Sequence, residues 1–361
     1  MIIKKIILRN FRNYDFASVE FDPKLNVIVG ENAAGKTNLV EAIYFLSLAR
    51  SFRTSETSDL IKNKRQFSEI EALVEQDTIK KDIVALMTSS SKKFVCNDKP
   101  IRKLSDLSKL INVIVFEPKD TLMFHDSPLV RRNYLDINLS KKSPIYLENL
   151  MMFEKLLRER NAILKSDTID KIQLKVVTEQ MIDVEETICK YRAAYINEIN
   201  AILSKLITKL KGETETAKLV YLPFIKLDDK FKVSCARAYE HNVESDIKHK
   251  MTQLGIHRED MKMILNGKDI SEQGSQGENR IAVIALKVAP YFLIEEKSAK
   301  PIVILDDVMS ELDDEHKRRL LTFIKDLEQV FVTTTKTNIK DASIFEVSNH
   351  NISRRNAKWQ N

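Results

Sequence analysis

The octet Gly30-Glu31-Asn32-Ala33-Ala34-Gly35-Lys36-Thr37 constrains this chain more than any other feature. It fits G-x-x-x-x-G-K-[ST], and its flanks fit the context that such a motif needs. Leu25 to Val29 is a short apolar run that reads as a strand. Asn38 to Ala49 places Leu39, Ala42, Ile43, Leu46 and Ala49 at helical spacing. A glycine loop that leaves a strand and opens a helix turns its amide N–H groups inward, and the helix dipole adds its positive end. The pattern predicts a phosphate cradle in an α/β fold. Each residue of the octet is a candidate nucleotide contact. Lys36 would reach the β- and γ-phosphates, and Thr37 would ligate Mg²⁺.

Glycine usage sharpens this reading. Seven glycines occur in 361 residues, where average usage near ~7% would give roughly 25. A chain that avoids glycine keeps it where φ must be positive or where the backbone must approach something closely. Gly30, Gly35, Gly274 and Gly277 fall in two short motifs. The second, Gly274-Ser275-Gln276-Gly277-Glu278-Asn279-Arg280, also opens a helical run. A serine hydroxyl and glycine amides at a helix N-terminus make a second anion site, which one chain holding one ATP does not need. A plain glycine-rich turn would have the same composition.

Pro301-Ile302-Val303-Ile304-Leu305-Asp306-Asp307 is four apolar residues followed by two acids. A buried strand would deliver both carboxylates at its C-terminal end, beside the phosphate loop. Asp306 is then the candidate Mg²⁺ ligand and Asp307 the group that polarises an attacking water. By itself the run is equally a strand ending in a solvated turn.

The rest of the chain divides by pattern. Ile2 to Leu8, Ala17 to Phe21, Glu69 to Val74, Lys81 to Met87, Lys93 to Cys96 and Val113 to Phe116 read as strands, with Asn97-Asp98 as a hairpin turn. From Ile145 to Lys211 proline and glycine are absent, and apolar residues recur at gaps of three, four or seven. Two long antiparallel helices are expected there, broken near Ser166-Asp167-Thr168, the longer extending roughly 60 Å at 1.5 Å per residue. Leu219 to Phe224 and Phe231 to Cys235 read as strands, Asn242 to Leu254 as a helix, and Asn351 to Asn361 as a frayed tail. The expected organisation is an ATPase head from residues 1–125 and 213–361, with a helical arm domain of residues 126–212 inserted in it.

Composition excludes several classes. The longest apolar stretch, Ile281 to Ile294, is interrupted by Lys287 and Pro290 and is too short to span a bilayer, and the first residues lack a signal-peptide pattern. Cys96, Cys189 and Cys235 form no paired spacing, so neither a zinc site nor a disulfide framework is expected, and a reducing cytoplasm is the default. The net charge of +6 permits a polyanionic partner, as it does an ordinary basic protein.

The motif order is similar to that of the ABC-type ATPases of the SMC group: phosphate loop, helical insertion, Ser275-x-Gly277 signature, Asp306-Asp307 strand end, then Ser310-Glu311-Leu312-Asp313 as the D-loop. Several blocks resemble the RecF family in particular. They are Leu8-Arg9-Asn10-Phe11-Arg12-Asn13-Tyr14, Leu48-Ala49-Arg50-Ser51-Phe52-Arg53-Thr54, Arg131-Arg132-Asn133-Tyr134-Leu135-Asp136, Gly255-Ile256-His257-Arg258-Glu259-Asp260 and Leu305 to Asp313, with Thr333-Thr334-Thr335 on the final strand. The resemblance implies an ABC/SMC-type head with a mixed sheet and a slow ATPase that uses ATP and Mg²⁺. It implies that Ser275 and Gly277 cap the γ-phosphate held by a second copy, so that ATP drives a head-to-head homodimer. It also implies ATP-dependent binding of double-stranded, gapped or junction DNA, stimulation of ATP turnover by DNA, and work with RecO and RecR to load RecA in recombinational repair and replication.

Asp307 stands where the wider superfamily has Glu. The superfamily's Gln and His are missing; Glu117 and Thr334 lie near those positions. Glu278-Asn279-Arg280 departs from the family's two glutamines before Arg. Arg50, Arg53, Lys62, Lys64 and Arg65 are candidate DNA contacts, and a solvated basic loop would carry the same residues. The ATPase subunit of a membrane transporter and the head of a larger SMC-like complex are the alternative readings.

Overall fold

The structure, a computed structural model, describes residues 1–336, 339 and 341–355. In chain order the elements are β1 (Ile2–Phe11), β2 (Tyr14–Glu20), β3 (Lys24–Val29), α1 (Lys36–Leu48), β4 (Phe67–Gln76), β5 (Ile79–Thr88), β6 (Lys92–Cys96), β7 (Lys99–Pro100), α2 (Leu107–Leu110) and β8 (Val113–Phe116). There follow α3 (Pro128–Lys142), α4 (Pro144–Lys165), α5 (Lys171–Lys211), β9 (Ala217–Leu222), α6 (Phe231–His249), β10 (Asp260–Leu265), β11 (Lys268–Asp269) and α7 (Ile270–Gln273). The chain closes with α8 (Gln276–Leu293), β12 (Ile302–Leu305), α9 (Asp314–Lys325), β13 (Gln329–Thr334), β14 (Ser343–Ser348) and β15 (Asn351–Arg354). They form two compact units: Met1–Thr121 with Leu206–Glu213 and Arg280–Asn361, and Leu122–Lys205 with Thr214–Asn279.

The first unit contains two six-stranded sheets. One is antiparallel, in the order β2-β1-β4-β5-β6-β7. The other runs β15-β14-β3-β13-β12-β8, parallel except for the β15 edge. Strands β8, β12 and β13 are buried at every residue, as parallel strands covered on both faces are. Helix α1 explains the layering. Leu39, Val40, Ala42, Ile43, Phe45 and Leu46 are all fully buried, and a helix that is apolar around its whole circumference has to be covered on all sides. It packs on β1 of the antiparallel sheet and on β8 and β13 of the mixed sheet. Because β3, β12 and β13 are parallel, their C-terminal ends share one edge, and that edge carries the site.

The second unit combines α3, α4, most of α5 and α6 with the sheet β9-β10-β11. Buried arginines tie it together. Arg192 donates to Glu259 at 2.7 Å, to the Ile256 carbonyl at 3.0 Å, to Asp136 at 2.8 Å and to Tyr146 Oη at 3.1 Å. Arg160 donates to Asp246 at 2.7 Å, Thr252 at 2.8 Å and Thr178 at 2.9 Å. Arg131 grips Asp260 with two bonds, of 2.6 and 2.9 Å.

Several expectations differ from the structure. Thr214–Asn279 joins the helical unit and not the head, because β10 pairs with β9 and its approach carries Glu259 and Asp260 to arginines of α5 and α3. The arm is preceded by a further helix, α3. Phe231 to Cys235 begins helix α6 and is no strand: Phe231, Cys235 and Tyr239 are buried at a spacing of four, while Val233 is exposed. The helix-to-helix break is capped by Asp170, which accepts from the amides of Ile172 and Gln173. Asn351–Arg354 of the expected frayed tail is paired with β14; the last six positions lie outside the described residues.

Candidate nucleotide site

The phosphate loop is shaped by its neighbours. Gly35 caps α1 with φ 118°, and a Cβ there would stand 2.8 Å from both Asn13 Nδ2 and Tyr14 Oη. Only glycine satisfies both conditions. Tyr14 Oη donates to the Gly35 carbonyl at 3.0 Å, so the β1–β2 turn braces the loop. Gly30 is equally confined, since a Cβ would lie 2.4 Å from the Val347 carbonyl of β14. Glu31, Asn32 and Ala33 form the exposed crest, with Ala33 at φ 63°, and the Ala34 amide donates to the Glu31 carbonyl at 3.2 Å. Lys36 folds across the loop, its Nζ donating to the carbonyls of Gly30 and Glu31 at 2.8 Å each. Burial lowers its pKa, and the carboxylates of Asp307 and Asp306 oppose that shift.

The two aspartates follow β12. Asp306 Oδ1 accepts from Thr37 Oγ1 at 3.0 Å and from Thr333 Oγ1 at 2.6 Å. Its amide donates to the Phe116 carbonyl of β8 at 2.8 Å. Burial raises its pKa, and the two hydroxyls work against the rise. A hydroxyl and a carboxylate held side by side are the hard oxygen donors that Mg²⁺ takes, so these residues fit that ion. Asp307 sits in the left-handed region at φ 52°, its amide donating to Thr333 Oγ1 at 2.9 Å. Its Oδ1 is buried and has no hydrogen-bond partner. A non-glycine residue in that region costs roughly 1–2 kcal/mol, and such cost gathers at functional sites.

Of the two positions near the missing Gln and His, Glu117 follows β8. Burial raises its pKa to about 7, chiefly against Lys119, whose Nζ lies 2.9 Å away. Thr334 meets the loop through its backbone, its carbonyl accepting from the Gly30 amide at 3.3 Å.

The signature lies in the other unit. Ser275 and Gly277 are exposed, and a Cβ at Gly277 would meet nothing within 4 Å. The Ser275 amide and hydroxyl both donate to Glu278 Oε2 at 2.9 Å, and the Glu278 amide donates back to Ser275 Oγ at 3.2 Å. This is a capping box, and the family departure at Glu278 forms half of it. Asn279 is buried and donates to the carbonyls of Ile270, Gly274 and Ser275, fixing the turn from below.

The five basic candidates divide. Arg53 donates to Asn38 at 2.8 Å and lies 3.5 Å from Glu41. Lys62 and Arg65 both pair with Asp15. Arg50 and Lys64 are exposed. Sequence reasoning missed Glu41. This fully buried carboxylate of α1 is held by Arg12 with bonds of 2.8 and 2.5 Å and by Ser51 at 2.5 Å. A lone acid inside an otherwise apolar helix was the available signal.

Comparison with known proteins bears on this geometry. Residues 2–354 match the family described as RecF/RecN/SMC N terminal domain. The chain is 35% identical to the DNA replication and repair protein RecF of Halalkalibacterium halodurans over 98% of its own length and 100% of that protein. It is 37% identical to the RecF of Shouchella clausii, over 95% of each. The chain belongs to the RecF family. A solved structure of the recombination mediator protein RecF-ATP in the RecFOR pathway superposes on it with TM-score 0.89, at 30% identity, covering 98% of this chain and 97% of that one. An Smc head domain from Pyrococcus furiosus, at 18% identity and TM-score 0.58 over 98% of this chain and 95% of that one, shares the fold. The fold is thus that of an ABC/SMC-type ATPase head, with mixed sheet and helical segments. Two of the RecF-like blocks prove structural: Arg131 and Asp136 meet Glu259 and Asp260, directly or through Arg192, inside the second unit. Among the described residues no helix is long and apolar enough to cross a membrane.

Proposed function

We propose that this chain is an ATP-binding DNA replication and repair protein that works as an ATP-gated homodimer. The observation that carries the reading is the meeting of Thr37 Oγ1 with Asp306 Oδ1 beside Lys36 at one sheet edge. The loop amides of residues 30–35 and Lys36 hold the triphosphate, and Thr37 and Asp306 hold Mg²⁺, which supplies neutralisation of phosphate charge. Asp307 orients the attacking water through its unpaired oxygen. Ser275 and Gly277 are exposed and cap the γ-phosphate bound by a second copy, so hydrolysis opens the dimer. The RecF names and the RecF-ATP structure in the RecFOR pathway support a role in DNA replication and repair, which on this reading is exercised in the cytoplasm on double-stranded, gapped or junction DNA. There the chain acts as a weak DNA-stimulated ATPase with RecR and RecO, in loading RecA.

Light scattering with saturating ATP tests this. Asp307→Asn should turn ATP over at least ~100-fold more slowly, a loss of about 2.7 kcal/mol of transition-state stabilisation, and accumulate as a dimer. Ser275→Ala should bind ATP as the wild type does and remain monomeric at the same concentration, and Lys36→Ala should bind none. Equal dimer yield in wild type and Ser275→Ala would refute the capping.

A further inference from the structure

The phosphate loop has two flanks, and only one has been given a role. Strand order places β13 and β12 on one side of β3, and these carry Thr333, Asp306 and Asp307. A terminal phosphate with its metal belongs there. The nucleoside end of the same molecule then leaves across the opposite flank, which is formed by β14 and by the β1–β2 turn. The tip of the β14–β15 hairpin, Asn349-His350, stands on that flank. Its exposed imidazole Nδ1 lies 2.7 Å from Asn13 Nδ2 and accepts from it. Asn13 also donates to the Ala34 carbonyl of the phosphate loop at 3.4 Å and would touch any Cβ at Gly35. Its Oδ1 accepts from Asn38 at 2.8 Å, and Asn38 accepts from Arg53 at 2.8 Å. A line of hydrogen-bonding side chains, His350, Asn13, Asn38 and Arg53, thus borders the open side of the loop.

The backbone adds a second observation. Three two-residue hairpin turns among the described residues have both residues at positive φ: Asn97-Asp98, Asn266-Gly267 and Asn349-His350. The second position is Asp or Gly in the first two, residues suited to that conformation. At φ 62°, His350 is also a residue type that this region admits, and of the three tips it is the one whose side chain reaches Asn13 beside the phosphate loop.

Resting on the ATP reading above, we propose that His350 is a nucleoside-binding residue of the site, its ring anchored by Asn13 and presented to the adenosine part of ATP. The whole chain, as wild type, His350→Asn and His350→Gly, is titrated with ATP and with inorganic tripolyphosphate. Both substitutions suit the left-handed turn, and thermal unfolding checks that the hairpin persists. The expected result is an ATP Kd about ten-fold weaker in both variants, the scale of one lost ring contact or hydrogen bond, with tripolyphosphate affinity unchanged. Unchanged ATP affinity, or an equal loss for both ligands, would overturn the assignment. A wild type that binds tripolyphosphate as tightly as ATP would also overturn it, while leaving the phosphate loop intact. A wild type that binds neither would remove the ATP reading itself and this assignment with it.

Discussion

Glu185 of α5 is fully buried in the second unit, and replacing it by glutamine should change how that unit responds to pH. Its Oε1 accepts from Tyr239 Oη at 2.9 Å and from the Ile256 amide at 3.2 Å, while Oε2 has no partner. Burial raises its pKa from 4.5 to about 8. The folded value lies above the unfolded one. The stability it confers is therefore full below pH 4.5 and is lost as pH rises towards 8. At ~1.4 kcal/mol per unit, the loss by pH 9 is on the order of 5 kcal/mol, about 3 of it above pH 6. Glutamine keeps the accepting oxygen and cannot ionise. Its amide also gains a candidate acceptor, since His257 Nδ1 is buried without a partner and borders the same Gly255 position. Hydrogen exchange of the α5 amides at pH 6 and pH 9, corrected for intrinsic rates, reads the local opening free energy. Wild-type protection should fall by about 3 kcal/mol more than that of Glu185→Gln. Identical falls in the two proteins would refute the argument. His257 acts at the acid end: burial lowers its pKa to about 4, so its contribution is present above pH 6.5 and is lost as pH falls towards 4.

Arg192→Met would leave Glu259 and Asp136 buried or half-buried without their shared cation; a loss of about 3–5 kcal/mol is expected in urea unfolding, and a change below about 1 kcal/mol would show that the network is dispensable. Gly35→Ala combines a left-handed φ with two contacts of 2.8 Å. It should lower stability by about 1–3 kcal/mol and abolish ATP binding by isothermal titration, whereas Gly277→Ala, with open space around it, should keep its thermal midpoint.

Much of the first unit was legible because its signals are local. The phosphate loop declares itself by spacing, and the run Ile302 to Asp307 by an abrupt change from apolar to acidic. Thr333, which holds both Asp306 and the Asp307 amide, was visible only as part of a strand end. Nothing in the sequence says that a hydroxyl 27 residues further on is placed on that carboxylate. The misread segments failed for related reasons. Phe231-Lys232-Val233-Ser234-Cys235 alternates like a strand over five residues, and only Tyr239 beyond it reveals the four-residue period. Thr214–Asn279 looked like a return to the head because strands resume there; its allegiance is decided by Arg131 and Arg192, 129 and 67 residues before the acids they hold. The hairpin tip at Asn349-His350 carried no signal in the sequence, because its importance comes from Asn13, 337 positions away.

The buried carboxylate of Glu41 draws on three side chains from two chain segments, and the three attachments are unequal. Arg12 grips it with a two-pronged fork and Ser51 with a short bond, whereas Arg53 reaches it only at 3.5 Å from a side chain still 42% exposed. The first two are costly to remove, because a desolvated anion would be left without compensation. The third can depart and leave the anion neutralised. Arg53 can therefore change partners while the β1–β2 turn and α1 stay bolted together, so the helix that opens the nucleotide loop need not shift when this outer guanidinium does so.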